Sequence, residues 1–356
     1  MNSIGRLFRV SIFGESHGIS VGVLVDGVPA GIKLDSHDFE SDLLRRKAQG
    51  LGTTPRIEAD EPIIESGLFN GFTTGAPILI RFLNQNTKSK DYSNLVNHPR
   101  PSHADLTAKI KYKGFNDVRG GGHFSGRITA PIVFAGNIAK QILKQKGIII
   151  GAHILSIGKI KDEKFPVNVD DEMLLKLSEK QYPTIKEDVF EKMEETILKA
   201  KENLDSVGGK IECVALHVPA GVGEPFFDSL ESHLSSLMFS IPAVKSVSFG
   251  DGESIDEMLG SEANDCYYYD EEGNVRTSTN HNGGITGGIT NGMPVSCTVT
   301  FKPTPSIAKK QKTINIETKE NVELEIKGRH DPCIVQRAVV VVEAMMALGI
   351  LDMMRE

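Results

Sequence analysis

The chain has 356 residues, 39% hydrophobic and 24% charged, with a formal net charge of -7 at pH 7. That length builds two domains or one large architecture with a sizeable core, and the composition excludes a disordered chain. The acidic balance leaves no basic footprint for nucleic acid or an anionic membrane, so any anion must be held by local arginine clusters.

The segment "RLFRVSIFGESHGISVGVLVDGVPAGI" alternates as two strands around the turn "GESHG". It predicts a hairpin that presents His17 at a strand end. "LDSHDFESDLLRRKAQG" predicts a short helix with a basic finish at Arg45, Arg46 and Lys47. After a strand at "APILIRFLN" and a polar loop, "RPSHADLTAKIKYKG" restarts a helix. Ser102 is its expected N-cap, with Asp105 three residues on and His103 in the first turn. "GGGHFSGRITAPIVFAGNIAKQILKQKG" is a glycine loop feeding a helix that carries Pro131 in its first turn and ends at Gly147.

Residues 170–204 predict a helical pair broken around Pro183, and "GGKIECVALHVPAG" returns to strand patterning. The tetrapeptide VPAG at 28–31 recurs at 218–221, each time after a strand-like run, which suggests an internal repeat. "VSCTVTF" is a clear strand within a glycine-rich stretch. Finally "GRHDPCIVQRAVVVVEAMMALGILDMM" enters an apolar helix, with Asp331 as cap and Pro332 at its first position. Glu343 and Asp352 inside that run mark a buried helix, not a membrane span. The N-terminus has no continuous apolar signal core. Cys213, Cys266, Cys297 and Cys333 form no C-x-x-C pair, so neither a disulfide scaffold nor a cysteine zinc site is expected, and the location read from them is cytoplasmic.

Three features carry chemistry. In "RGGGHFSGR", glycines let backbone N–H groups approach an anion, while Arg119 and Arg127 offer bidentate contacts. His17 and His103 sit at element ends, where an imidazole can trade a proton near neutral pH. Asp331, in "DP" before the apolar helix, is by pattern an ordinary N-cap. His17, His103, His123, His330 and Asp331 have no metal-ligand spacing, and guanidinium groups flank them, so no metal is expected. Anion binding is the better reading.

Taken together and in order, "FGESHG", "DGVPAG", "RPSHAD", "RGGGHFSGR", "NGGITGGI", "KPTPS" and "GRHDPC" resemble the chorismate synthase family from residue 13 to 333. The resemblance implies an α+β fold: one domain over 1–356, a β-α-β sandwich with two antiparallel sheet layers and helices between and around them. Residues 170–204 would be peripheral. It implies a lyase of the shikimate pathway to aromatic amino acids, which converts 5-enolpyruvylshikimate 3-phosphate into chorismate by 1,4-elimination of phosphate, using reduced FMN.

By the same resemblance, His17 would protonate the departing phosphate and His103 would sit by the reduced flavin. Asp331 would act with the flavin in taking the substrate's C6 proton. FMN contacts would come from His123, Phe124, Ser125, Gly287, Lys302, Pro303, Thr304, Pro305, Ser306 and Arg329, and substrate contacts from Arg46, Arg100 and Arg127. Many relatives read "GGGRSSAR" where this chain has "GGGHFSGR", so His123 would contact through imidazole or backbone. A homotetramer is implied, with reduced FMN from an outside source such as a flavin reductase, and NADPH as the external reductant. The alternatives are a phosphate lyase that needs no flavin, and a flavin- or phosphate-binding protein without this turnover.

Overall fold

The computed structural model describes residues 1–47, 53, 58–87, 95–326 and 330–354. The first half runs β1 (Ser3–Ile4), β2 (Arg9–Gly14), β3 (Ser20–Asp26), α1 (Ser36–Arg46), β4 (Ile63–Ile64), β5 (Leu68–Phe69), β6 (Phe72–Thr73), β7 (Ile78–Leu83), α2 (Asp105–Lys111) and α3 (Thr129–Gln145). The second half opens with β8 (Ile149–Ile157), β9 (Ile160–Lys161), α4 (Asp171–Glu179), α5 (Val189–Glu202), β10 (Gly209–Leu216), α6 (Leu230–Phe239) and β11 (Val244–Phe249). It continues through α7 (Gly260–Ala263), β12 (Tyr267–Tyr269), β13 (Val275–Thr277), β14 (Ile285–Thr286), β15 (Ile289–Thr290), β16 (Val295–Phe301), β17 (Gln311–Asn315), β18 (Glu320–Leu324) and α8 (Val335–Met353).

Two five-stranded sheets form among the described residues, ordered β1-β2-β3-β7-β4 and β11-β16-β10-β8-β9. Their pairings are antiparallel. The fold is α+β. Between the sheets lie α3, packed on the first, and α8, packed on the second, with α1 and α6 against them. Almost every side chain of α8 is buried, including Val339–Val342 and Met345–Leu348. Four consecutive valines are poor helix formers, so it is burial on all sides that holds this helix. The helices cross at Gly136, where an added Cβ would sit 2.5 Å from Ala344 Cα. None of the helices is long and apolar enough to cross a membrane, among the described residues.

The VPAG pair marks a structural repeat. Gly31 N–H donates to the Thr73 carbonyl at 2.8 Å, and Thr73 Oγ1 donates to the Pro29 carbonyl at 2.6 Å. In the second half Gly221 N–H donates to the Thr290 carbonyl at 2.9 Å, and Thr290 Oγ1 donates to the Pro219 carbonyl at 2.7 Å. The matching extends to whole elements. Strand order β2-β3-β7-β4 corresponds to β8-β10-β16-β11, hairpin β5–β6 to β14–β15, α1 to α6, and α3 to α8. The insertion that holds α4 and α5 therefore replaces the tight turn of His17.

Glu343 is a buried acidic side chain midway along α8. Its carboxylate accepts Arg45 Nη1 and Nη2 at 2.9 and 2.6 Å and Lys140 Nζ at 2.6 Å, and Lys140 also reaches Asp42 at 3.0 Å. Burial alone would raise the Glu343 pKa, yet Arg45 and Lys140 outweigh it and hold it down to about 2.

On the second sheet, buried His153 lies with Nε2 2.9 Å from Glu212 Oε2 and Nδ1 3.3 Å from Asp162 Oδ2. Glu212 accepts the Phe165 N–H, and Asp162 accepts those of Ile185 and Lys186, so the cluster fastens the α4 segment to the sheet. Burial pushes the imidazole pKa down, but Asp162 and Glu212 outweigh it and raise it. A raised folded-state value stabilises fully below the unfolded pKa of about 6.5 and is lost as pH rises through the folded value. Stability of the wild-type chain is therefore expected to fall on the alkaline side of neutrality, and His153→Gln to lose that slope. Equal pH slopes in thermal melts of the two proteins would rule the cluster out.

Two expected caps are corrected. Ser102 does not cap α2; it sits at φ 58°, and Asp105 instead accepts the Arg100 backbone N–H at 3.0 Å. The helix starts after His103, not before it. Asp331 likewise precedes α8 without capping it, because its carboxylate is taken by Arg337 at 2.6 Å.

Candidate active site

The two long connections that lead from β7 to α3 and from β16 to α8 meet in front of the helical layer. The first brings the glycine loop. Gly120, Gly121 and Gly122 stand at φ 61°, 82° and 55°, a left-handed run that only glycine adopts without cost. A Cβ at Gly120 would sit 2.5 Å from His17 Nε2 and 2.9 Å from Ser16 Oγ, and one at Gly122 would run into the Asp117 carbonyl. The Ser16 N–H donates to the Gly122 carbonyl at 3.0 Å. His103 Nε2 lies 3.7 Å from where a Gly121 Cβ would stand. The glycines thus let one loop run close against two histidines. Arg119 does not join them; it is half exposed and bound to Asp117 at 2.8 Å.

His103 Nδ1 is 2.6 Å from Asp105 Oδ1, so Nδ1 carries the hydrogen and Nε2 is left as the basic atom. Burial lowers its pKa, and Arg100 and Lys302 add to that against the pull of Asp105. The ring is neutral at pH 7. Arg100 is held by Asp105 through Nε and Nη2, both at 2.8 Å, and its Nη1 donates to Ser306 Oγ at 2.9 Å. Lys302 Nζ donates to the Ser102 carbonyl. The second connection is thereby tied to the first.

Buried Arg46 and Arg127 flank one carboxylate, Asp60, whose Oδ2 accepts from Arg46 and Oδ1 from Arg127. Arg127 also donates Nε to Asn84 Oδ1 at 3.0 Å. Arg46 N–H groups are desolvated and crowded by Arg337 and Arg127, which lowers its pKa to about 10 despite Asp60. Arg337 bridges the set, with Nη1 on Asp331 and Nε on the Arg46 carbonyl at 3.0 Å.

These groups line a cavity of about 1370 Å³. One small-molecule site occupies roughly 300–1,000 Å³, so this one has room for two ligands. Arg46, Arg100, His103, His123, Phe124, Ser125, Arg127, Lys302, Thr304, Pro305, Ser306 and Asp331 are all in its lining. His17 lies just behind the lining glycine, Gly120. His123 is held by its own ring, whose Nδ1–H donates to the Gly14 carbonyl at 2.7 Å. Gly287 is not brought in, being in the β14–β15 turn beyond the lining, and Pro303 is also outside it. Arg329 lies outside the described residues. Sequence reading passed over Asp60 and Arg337, and considered His330 only as a metal ligand. The signal for Arg337 was its place six residues after Asp331; Asp60 sits in an acidic stretch with no pattern of its own.

A large cavity walled by paired arginines and several histidines defines an enzyme that works on a small polyanionic molecule. The profile of the family described as chorismate synthase matches residues 8–355. A chorismate synthase from Methanocaldococcus jannaschii is 48% identical over 99% of this chain and 96% of its own length. Those from Chitinophaga pinensis and Thermococcus gammatolerans are 49% and 47% identical, over 99% and 98% of this chain and 96% of their own lengths. A crystal structure of chorismate synthase superposes with a TM-score of 0.75 at 28% identity, covering 98% of this chain and 92% of the other. The chain belongs to the chorismate synthase family, and it is a lyase of that kind.

Proposed function

We propose that the cavity binds 5-enolpyruvylshikimate 3-phosphate beside reduced FMN and eliminates phosphate to give chorismate. The observation that carries this is the convergence of His17, His103 and Asp331 around one cavity large enough for two ligands, with Arg46, Arg100 and Arg127 in its wall. The substrate's two carboxylates and phosphate suit guanidinium pairs.

The residues fit the flavin. Thr304 Oγ1 and His330 Nε2 are buried polar atoms with no hydrogen-bond partner among the described residues, and they sit on the connection that also carries Lys302, Pro303, Pro305, Ser306 and Arg329. Those residues, with His123, Phe124 and Ser125, would hold the cofactor, which when bound supplies electron density that eases loss of phosphate. Gly287, off the cavity, would serve a neighbouring copy in a homotetramer. Exposed Phe226, Phe227 and Tyr267–Tyr269 support such self-association. We place the enzyme in the cytoplasm, working as one domain, with an external NADPH-linked reductase supplying the reduced flavin.

His17 donates a proton to the leaving phosphate. His103, neutral, presents Nε2 towards the flavin's place. Asp331, oriented by Arg337, takes the substrate proton. The test is anaerobic turnover with chemically reduced FMN, following phosphate and chorismate together. His17→Ala, His103→Ala and Asp331→Asn are each expected to lose roughly a hundredfold in kcat. FMN binding without phosphate release by the wild-type chain would favour the binding-protein alternative; release without flavin would favour a flavin-independent lyase.

A further inference from the structure

We propose that Asp60 is a built-in competitor of the substrate: its carboxylate stands between Arg46 and Arg127 where an anionic group of the substrate binds, and so sets how much negative charge a ligand needs to enter. This rests on the anion-site reading above.

Four observations carry it. Asp60 lines the cavity with its side chain only 1% exposed, and it gives one oxygen to each guanidinium, as a bound carboxylate or phosphate would. Of the other cavity arginines, Arg100 and Arg337 pair with carboxylates close in sequence, Asp105 and Asp331, and Arg6 pairs with exposed Asp228, whereas among the described residues Asp60 alone bridges two arginines, and they come from distant segments. Arg46 Nε is buried without a hydrogen-bond partner among the described residues, so the pair offers a donor that Asp60 does not use. Finally, Asp60 stands at φ 53°, in the left-handed region that costs most side chains energy and that aspartate adopts more readily than most.

The physical logic is one of compensation. Two guanidiniums buried side by side repel each other and are costly without a counter-ion. Asp60 supplies it while the site is empty. With one carboxylate against two guanidiniums, a net positive charge remains, enough to attract a polyanion. A ligand with a single weak anionic group gains too little to replace a tethered carboxylate, while one with several charges exchanges Asp60 for its own oxygens.

The experiment titrates inorganic phosphate, the leaving group of the proposed reaction, into the full-length, flavin-free protein by calorimetry. Asp60→Asn is expected to bind phosphate about tenfold more tightly than wild type, and Asp60→Glu to bind it as weakly as wild type. Asp60→Asn with equal or weaker affinity would mean that Asp60 orients the arginines, and the proposal falls. In the wild-type protein, saturating phosphate is expected to speed amide exchange at residues 58–61 as the carboxylate is released; slower or unchanged exchange there overturns the proposal without any variant. Arg127→Gln is the control for the site: phosphate affinity unchanged by it would place the anion elsewhere and overturn both the site reading and the role of Asp60.

Discussion

Gly120→Ala is expected to cut kcat/KM roughly a hundredfold, as far as removal of His17 itself, while leaving the protein folded. The backbone at φ 61° costs an alanine on the order of 1 kcal/mol, which a chain of this size tolerates. The larger effect is local. The new Cβ would stand 2.5 Å from His17 Nε2, about 1 Å inside normal contact, so the ring or the loop must move. A misplacement of that size costs about a hundredfold, the same order as outright loss of a positioned proton donor. Gly121→Ala is the comparison, because its Cβ meets nothing closer than 3.7 Å and it carries only the backbone penalty. Single-turnover phosphate release should separate the two variants by at least tenfold; equal rates would show that the glycine run serves the backbone alone.

Glu343→Ala is expected to destabilise the chain by about 3–5 kcal/mol, because it leaves Arg45 and Lys140, two cations of the helical layer, to share Asp42 after losing their nearer carboxylate. That corresponds to a fall of roughly 10 °C in thermal midpoint. Adding Lys140→Met to the alanine variant should recover part of the loss, since one buried charge is removed with its partner. A deficit below about 1 kcal/mol, or no recovery, would mean that solvent reaches the cluster. The pH behaviour follows from the depressed carboxyl. Its contribution is present above the unfolded value near 4.5 and is lost as pH falls towards 2.

Strands and long helices were legible because their periods are strong: the hairpin around "GESHG", "VSCTVTF" and the apolar α8 all stand where alternation or apolar runs put them. The caps were not. A serine or an aspartate before a helix satisfies backbone N–H groups only when nothing stronger claims it, and Asp105 and Asp331 are claimed by Arg100 and Arg337. Such claims are settled by tertiary approach. The same holds for Asp60, which meets Arg46 and Arg127 across 14 and 67 residues. The glycine loop was read as a cradle for an anion, yet its conformation answers first to His17 and His103 packed against it. The order of motifs gave the family, and what it could not give was which carboxylate holds which arginine.

The matched halves bear on how such a site can arise. A half-length chain with one sheet and one long helix would expose the apolar side of that helix, and pairing with its twin would cover it. Joined head to tail, the twins no longer need identical sequences. One β-to-α connection is then free to acquire glycines and histidines, the other a proline-rich stretch and an aspartate, while the strands and helices beneath keep their common plan. A lopsided reaction centre on a duplicated scaffold is what gene fusion makes possible, and swapping the two connections between halves should preserve folding while erasing chemistry.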